Sequence, residues 1–227
     1  MAGGGKNNGG GGMGQFGKAM IGGAALIVLG AVGAGAYLAL QPQNELALDG
    51  RTIDMRHKPL GGDFSVTTHT GETVDANGVL DGPTLVYFGY TFCPDVCPID
   101  ALRMADVQRL LADDGVDIDT VFVTIDPARD TPEAISYFVD AMHPEMLGLV
   151  PDQPTLEAMT ADWGLYFNKV NAPDSEPDDY LMSHTNFIYF VGADARSRFL
   201  FRGEQTIESI AADVKTIISA GYGDPSS

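Results

Sequence analysis

The stretch from Thr84 to Asp100, TLVYFGYTFCPDVCPID, holds both cysteines of the chain, Cys93 and Cys97. It begins with five residues of strand character and ends in a helical pattern that starts at about Ile99. Both sulfurs therefore lie where a strand passes into a helix. Unpaired backbone N–H groups and the positive end of the helix dipole favour thiolate over thiol at such a junction. Because the thiolate is both the nucleophile and the metal ligand, the stretch predicts a chemically active site.

The spacing of the two cysteines narrows the chemistry. Three residues separate Cys93 from Cys97, and in a helical turn this places both side chains on one face, with Cβ atoms about 5–6 Å apart. Such a pair can bind one soft metal ion or form a disulfide. Two thiolates make a poor zinc site, which usually has four ligands, whereas two thiolates and one imidazole suit copper. A structural disulfide is the alternative.

The amino-terminal region predicts a membrane anchor. Residues 19–40 are 22 residues without a charge, and at about 1.5 Å per residue they reach roughly 33 Å, enough to cross a bilayer as a helix. Residues 1–18 form a short Gly-rich tail with two lysines, so the positive-inside rule places this tail in the cytoplasm and the rest of the chain outside. A cleaved signal peptide with an Ala34-Gly35-Ala36 site is the alternative.

The remaining chain divides into a linker and one domain. Residues 41–60 are predicted to be a polar linker, and residues 61–222 a single domain of ordinary size. The absence of an Arg-rich presequence favours a bacterial inner membrane, crossed once, with this domain in the periplasm. The net charge of −18 argues against nucleic acid or anionic lipid as a direct partner.

The order of the predicted elements indicates the fold. The strand at 120–125 is a run of β-branched and aromatic residues without polar alternation, as expected of a strand buried on both faces. The order β, α, β, α, hairpin and helix predicts an α/β thioredoxin-like domain, with a central mixed sheet flanked by helices. The predicted strands are 64–68, 84–88, 120–125, 147–150, 187–191 and 198–202, and the predicted helices are 99–112, 133–141, 155–163 and 207–220.

Two acidic residues follow the buried strand. Asp126 lies at its carboxyl end, the edge where open α/β sheets place their sites. Asp130 forms a D-x-x-E pattern with Glu133 and is predicted to cap the next helix. Residues 171–179, NAPDSEPDD, are acidic, contain two prolines and are predicted to form a loop.

His184 follows this loop and enters the final hairpin on the side that faces the cysteines. It is the one histidine predicted to meet both sulfurs. The other three histidines are predicted to be solvated or to mark a helix end: His57, His69 and His143.

With these segments assembled, residues 60–220 resemble the Sco/SenC family of membrane-anchored copper metallochaperones. The matching segments are GGDFS at 61–65, VYFGYTFCPDVCP at 86–98, DPARDTP at 126–132, and the histidine at 184. The resemblance implies one copper ion per domain, bound by Cys93, Cys97 and His184. Family members often have Asp before this histidine and Ser after it, whereas Ser183 and Thr185 flank it here.

The resemblance also implies a function. It is the assembly of the binuclear copper A centre of cytochrome c oxidase subunit II, by copper delivery or by reduction of its cysteines. Other periplasmic copper chaperones or thiol reductants are implied as partners. A metallochaperone is favoured over an enzyme, and the alternative is a periplasmic thiol-disulfide oxidoreductase in which Cys93 and Cys97 are the redox-active pair. A thiol peroxidase is disfavoured, because neither cysteine has a Thr-x-x-Cys setting.

Overall fold

The computed structural model describes residues 1, 3–5, 45–171 and 179–223. The chain divides into two compact units, residues 1–45 and residues 46–227, and the elements below belong to the second. The predicted anchor at 19–40 lies outside the described residues. None of the helices in the described ranges has the length and apolar character needed to span a bilayer.

The centre of the second unit is an eight-stranded mixed sheet. Its strands, in chain order, are β1 (Ile53–Asp54), β2 (Ser65–Thr68), β3 (Thr73–Asp75), β4 (Thr84–Gly89), β5 (Asp119–Thr124), β6 (Leu147–Val150), β9 (Phe187–Val191) and β10 (Ser197–Arg202). They lie in the order β1-β10-β9-β4-β5-β6-β2-β3. The pairs β4–β5 and β5–β6 are parallel and all other neighbours are antiparallel. Two further strands, β7 (Phe167–Asn171) and β8 (Tyr180–His184), form a separate antiparallel pair, here called the β7–β8 ribbon.

Five helices accompany the strands: α1 (Ala76–Val79), α2 (Val96–Asp113), α3 (Pro132–Met142), α4 (Gln153–Asp162) and α5 (Ile207–Ser219). The long helix α2 packs against both α3 and α5. Local sequence fixes where several helices begin. Thr206, for example, accepts a hydrogen bond from the N–H of Ser209 at 3.2 Å and so caps α5.

The strand that leads to the two cysteines, β4, lies in the middle of the main sheet. Every residue of β4 is buried, which agrees with its run of apolar residues. On one face, the Phe88 ring lies 5.3 Å from both Trp163 and Tyr189. Burial of such a ring contributes about 1.5–3 kcal/mol. The opposite face carries Tyr87 toward α2. This arrangement confirms the predicted thioredoxin-like domain with a mixed sheet and flanking helices.

The predicted polar linker is wrong from residue 46 onward. β1 lies within it and pairs with β10, and the N–H of Asp49 donates to the buried carboxylate of Asp213 at 3.0 Å. The physical reason is that apolar residues are interspersed among the polar ones, and Leu46, Leu48 and Ile53 pack against the core. The packed unit therefore begins at Leu46.

The β7–β8 ribbon was not predicted. Its register pairs Phe167 with His184 and Val170 with Leu181. Tyr180 and Met182 are buried, whereas Leu181 on the other face is half exposed. The histidine predicted as a ligand thus ends a strand outside the main sheet.

Candidate metal centre

The cysteines lie at the junction between β4 and α2, as the sequence predicts. The helix begins at Val96, three residues before the predicted start, so Cys97 lies in its first turn. Pro98 follows within that turn, where a missing N–H removes no helical hydrogen bond. Cys93 lies in the loop before the helix, and its N–H donates to the carbonyl of Tyr90 at 3.3 Å.

The two sulfurs have different environments. Both cysteines are free, and Cys97 is fully buried whereas Cys93 is partly exposed. The Cys97 sulfur sits against Gly89, where an added Cβ would lie 3.1 Å from Sγ and 2.7 Å from Cε1 of Tyr87. Glycine at the end of β4 therefore leaves the space that the sulfur occupies.

Hydrogen bonding between the two cysteines shifts their pKa values in opposite directions. The bond from the Cys97 thiol lowers the pKa of Cys93 to about 5. The N–H groups of Cys97 and Asp95 act in the same direction, while burial opposes them. The same bond raises the pKa of Cys97, and burial raises it further. At neutral pH the site is therefore a partly exposed thiolate beside a buried thiol.

His184 completes the predicted set from the end of β8. Its Nε2 lies 3.5 Å from Sγ of Cys97. Its Nδ1 lies 2.7 Å from the carbonyl oxygen of Thr185, and because a carbonyl only accepts, Nδ1 carries the proton and Nε2 faces the sulfur with its lone pair. The rings of Tyr87 and Tyr90 stand edge-on to the imidazole, with centroids 6.2 and 6.0 Å away. The backbone of Thr185 thus orients the ring.

The three predicted ligands form two contacts that share Cys97. Cys93 and His184 each approach Cys97, but within the part of the chain that the structure describes, no three His, Cys, Asp or Glu side chains are grouped closely enough to hold a metal ion as they stand. The donors themselves fit copper, because two soft sulfurs suit Cu(I) and an imidazole extends the set to Cu(II).

The other histidines have structural or solvent-exposed positions. His57 is exposed, and His143 ends α3 as predicted. His69 was predicted to be solvated, but its Nδ1 accepts a hydrogen bond from the N–H of Gly148 at 3.0 Å and is only partly exposed. It ties the turn after β2 to β6.

The predicted cap at Asp130 is also wrong. Thr131 caps α3 by accepting from the N–H of Ala134. Asp130 is fully buried and accepts from the N–H and hydroxyl of Thr91, at 3.0 and 2.6 Å, and from the hydroxyl of Thr124 at 2.6 Å. Burial raises its pKa despite these bonds. The carboxylate therefore holds the start of the cysteine loop, two residues before Cys93.

Arg129 joins the cysteine loop to the β7–β8 ribbon, a role the sequence did not reveal. Its Nε donates to Asp126 at 2.6 Å, and its Nη1 donates to the carbonyl of Tyr180 at 2.9 Å. Its guanidinium lies 3.6 Å from the centroid of the Tyr180 ring and 4.7 Å from that of Phe92. Asp126 thus lies at the predicted sheet edge as an anchor for this cation. Residues 172–178 of the predicted acidic loop lie outside the described residues.

The chain is similar to proteins of one known family. The SCO1/SenC family model matches residues 54–219. Protein SenC of Rhodobacter capsulatus is 33% identical over 199 residues, covering 87% of this chain and 88% of that protein. The SCO2-like protein of Rickettsia felis is 32% identical over 137 residues, covering 60% of this chain and 66% of that protein, so the chain spans slightly less than two thirds of its length. The solved structure of Bradyrhizobium japonicum ScoI with copper bound is 34% identical, has a TM-score of 0.62, and covers 69% of this chain and 98% of that one.

Proposed function

Because the chain belongs to the SCO1/SenC family, we propose that it binds one copper ion through Cys93, Cys97 and His184 and helps to assemble cytochrome c oxidase. The centre that we expect it to serve is the binuclear copper A centre of subunit II. Copper is then cargo, accepted from one protein and passed to another. Periplasmic copper chaperones and thiol reductants are the further partners we propose.

The 3.5 Å approach of Cys97 Sγ to His184 Nε2 carries this proposal. It puts an imidazole beside a pair of free cysteines on one loop. Soft sulfur selects Cu(I), and the added nitrogen allows the same site to hold Cu(II). Since both sulfurs bind as thiolates, loading the site releases the proton of Cys97, while Cys93 is already ionised at neutral pH. The partial exposure of Cys93 gives a partner protein access to the ion.

Reduction of a partner's disulfide is the second candidate function, and the asymmetry of the cysteines favours it. The Cys93 thiolate attacks the partner disulfide, forms a mixed disulfide and releases one partner thiolate. Cys97 then loses its proton and attacks the Cys93 sulfur, which releases the second partner thiolate. Two electrons have passed to the partner, and a Cys93–Cys97 disulfide remains.

Mixing experiments separate the two functions. The purified full-length chain, either loaded with Cu(I) or reduced and metal-free, is mixed with an apo copper A domain whose own cysteines are reduced or oxidised. A copper donor transfers Cu(I) to the reduced acceptor, measured as copper that stays with the acceptor after the two proteins are separated, and a reductase gives the oxidised acceptor free thiols. If neither copper nor electrons reach the acceptor, both proposals are wrong.

Substitution of the ligands tests the site. Cys93→Ser or Cys97→Ser should abolish tight Cu(I) binding, because one thiolate and one imidazole make a much poorer soft site. His184→Ala should spare Cu(I), which accepts two sulfurs, and should remove the Cu(II)–thiolate absorption. His143→Ala, at the end of α3, is the matched control. An unchanged Cu(II) spectrum in His184→Ala would show that another residue supplies the nitrogen.

We further propose that residues 19–40 anchor the chain in a bacterial inner membrane, with the domain in the periplasm. The support is the uncharged run and the lysines before it. A reporter fused after Ser227 should then behave as periplasmic, and the protein should stay with membranes after a salt wash. A mature soluble species that starts near Tyr37 would contradict the anchor.

A further inference from the structure

Asn186 connects the histidine segment to the strand that precedes the cysteines. It lies two residues after His184, between β8 and β9. Its side-chain Oδ1 accepts a hydrogen bond from the hydroxyl of Tyr87 at 2.9 Å. Tyr87 is fully buried in β4, and its ring is edge-on to the His184 imidazole at an interplanar angle of 83°. The hydroxyl bond therefore holds the backbone just beyond the histidine, while the ring contacts the histidine itself.

The amide group of Asn186 also faces the helix that carries Cys97. Asp100 lies three residues after Cys97 in α2, and its side chain is only 3% exposed. One carboxylate oxygen pairs with Arg103, and the other, Oδ2, is buried without a hydrogen-bond partner among the residues the structure describes. A Cβ added at Gly203 would lie 3.4 Å from Asn186 Nδ2 and 3.7 and 3.8 Å from the Asp100 oxygens. The amide donor and the buried carboxylate thus converge beside this glycine.

The ribbon needs such a connection, since among the strands that the structure describes β8 pairs with β7 alone and not with the main sheet. On the upstream side of the histidine, the N–H of Met182 donates to the hydroxyl of Tyr90 at 3.1 Å. On the downstream side, Asn186 is the side chain that reaches Tyr87. The histidine is therefore held between two tyrosine hydroxyls, both from the segment that leads to Cys93.

We propose that Asn186 is a positioning residue of the copper site: by accepting the hydroxyl hydrogen bond of Tyr87, it fixes the His184 imidazole against the Cys97 sulfur. The inference rests on the proposed function for the identity of the ligands, and it adds the residue that sets their spacing. A ligand held by outer hydrogen bonds keeps its orientation when the metal changes. Because Cu(I) is satisfied by two sulfurs and Cu(II) requires the nitrogen, Asn186 controls how well the site holds the oxidised ion.

The test compares copper binding by the full-length chain and its Asn186→Ala variant. Cu(II) affinity should fall about tenfold or more, and the Cu(II)–thiolate absorption should shift or lose intensity. Cu(I) affinity should stay within about threefold, because both sulfurs remain. A merely structural role would weaken both oxidation states together and leave the absorption of the bound fraction unchanged.

Two further variants sharpen the comparison. Asn168→Ala changes the same residue type on the same ribbon, at an exposed position of β7 paired with Ser183, and should behave as wild type. Tyr87→Phe keeps the buried ring and removes only the hydroxyl. It should reproduce the Cu(II) defect of Asn186→Ala, and the double variant should be no worse than either single one, because both remove the same bond.

The metal-free chain gives an independent readout. Backbone amides at 182–186 should exchange faster in Asn186→Ala than in wild type, and Asn168→Ala should leave them unchanged. Wild-type Cu(II) spectra and wild-type exchange in both Asn186→Ala and Tyr87→Phe, with the absorption lost in His184→Ala, would overturn the positioning role and leave the proposed ligands intact. A wild-type spectrum in His184→Ala would overturn both, since there would be no nitrogen ligand to position.

Discussion

The backbone N–H of Cys97 points at the sulfur of Cys93, with 3.5 Å between nitrogen and sulfur. The thiol of Cys97 adds a second hydrogen bond to the same sulfur. One cysteine thus stabilises the negative charge of the other, through both its backbone and its side chain. Cys93 is therefore the reactive thiolate of the pair, and Cys97 stays protonated.

Alkylation should reveal this asymmetry. Only the thiolate reacts, so the rate at Cys93 should rise with pH through its lowered pKa of about 5 and level off before neutrality. Cys97 should stay unmodified in the native protein, because it is buried and its pKa is raised. Mass spectrometry after iodoacetamide treatment, from about pH 4 to about pH 8, measures both rates. Cys97→Ala should move the midpoint upward, and a wild-type midpoint near the ordinary value of about 8.5 would contradict the assignment.

Copper and the disulfide should exclude each other, because they use the same two sulfurs. Free Cu(I) at a thousand times its Kd should then stabilise the dithiol by about 4 kcal/mol. For a two-electron couple this is a shift of roughly 90 mV toward the reduced form. A redox titration with and without Cu(I) measures it. An unchanged midpoint would mean that the cysteines do not bind the metal, leaving a thiol-disulfide oxidoreductase or a structural disulfide.

Gly89→Ala should displace the Cys97 sulfur. The new Cβ would lie 2.7 Å from Tyr87 and 3.1 Å from the Cys97 sulfur, so both must move. We expect a loss of about 1–3 kcal/mol in the free energy of unfolding and weaker Cu(I) binding. Gly78→Ala is the control, since nothing lies within 4 Å of its new Cβ. Wild-type copper affinity in Gly89→Ala would show that the sulfur position is not set by this contact.

Arg129→Lys should loosen the connection between the cysteine loop and the ribbon. Lysine keeps the charge but cannot donate to Asp126 and to the Tyr180 carbonyl in the same fork. We expect the free energy of unfolding to fall by about 1–3 kcal/mol, measured by chemical denaturation. Arg109→Lys changes an exposed pair with Asp106, 45% and 39% exposed, and should cost less than about 1 kcal/mol. Equal losses in the two variants would argue against a special role for Arg129.

The sequence predicted the centre of the fold better than its attachments. The strand character of residues 84–88 located β4, the run at 120–125 identified β5 as a strand buried on both faces, and the element order then brought His184 toward the cysteines. The sequence did not predict the β7–β8 ribbon, because β7 has few apolar side chains and is largely exposed. Its pairing therefore leaves no alternating pattern in the sequence.

Asp130 illustrates a different limit. The D-x-x-E pattern located the start of α3 to within one residue, but the cap is Thr131. The bonds that Asp130 makes reach Thr91, 39 residues away along the chain. Long-range polar contacts of this kind, including that of Asn186 with Tyr87, have no local sequence signature.

The two parts of the site are synthesised at different times, because they lie on distant segments of the chain. His184 follows Cys97 by 87 residues, so a ribosome adding about 5–20 residues per second makes the cysteines roughly 4–17 s before the histidine. If the chain is exported to the periplasm as proposed, an unprotected dithiol there tends to close to a disulfide. A chain that is oxidised in this way would need electrons before it could bind copper, and its maturation would depend on the reductant supply as much as on the copper supply.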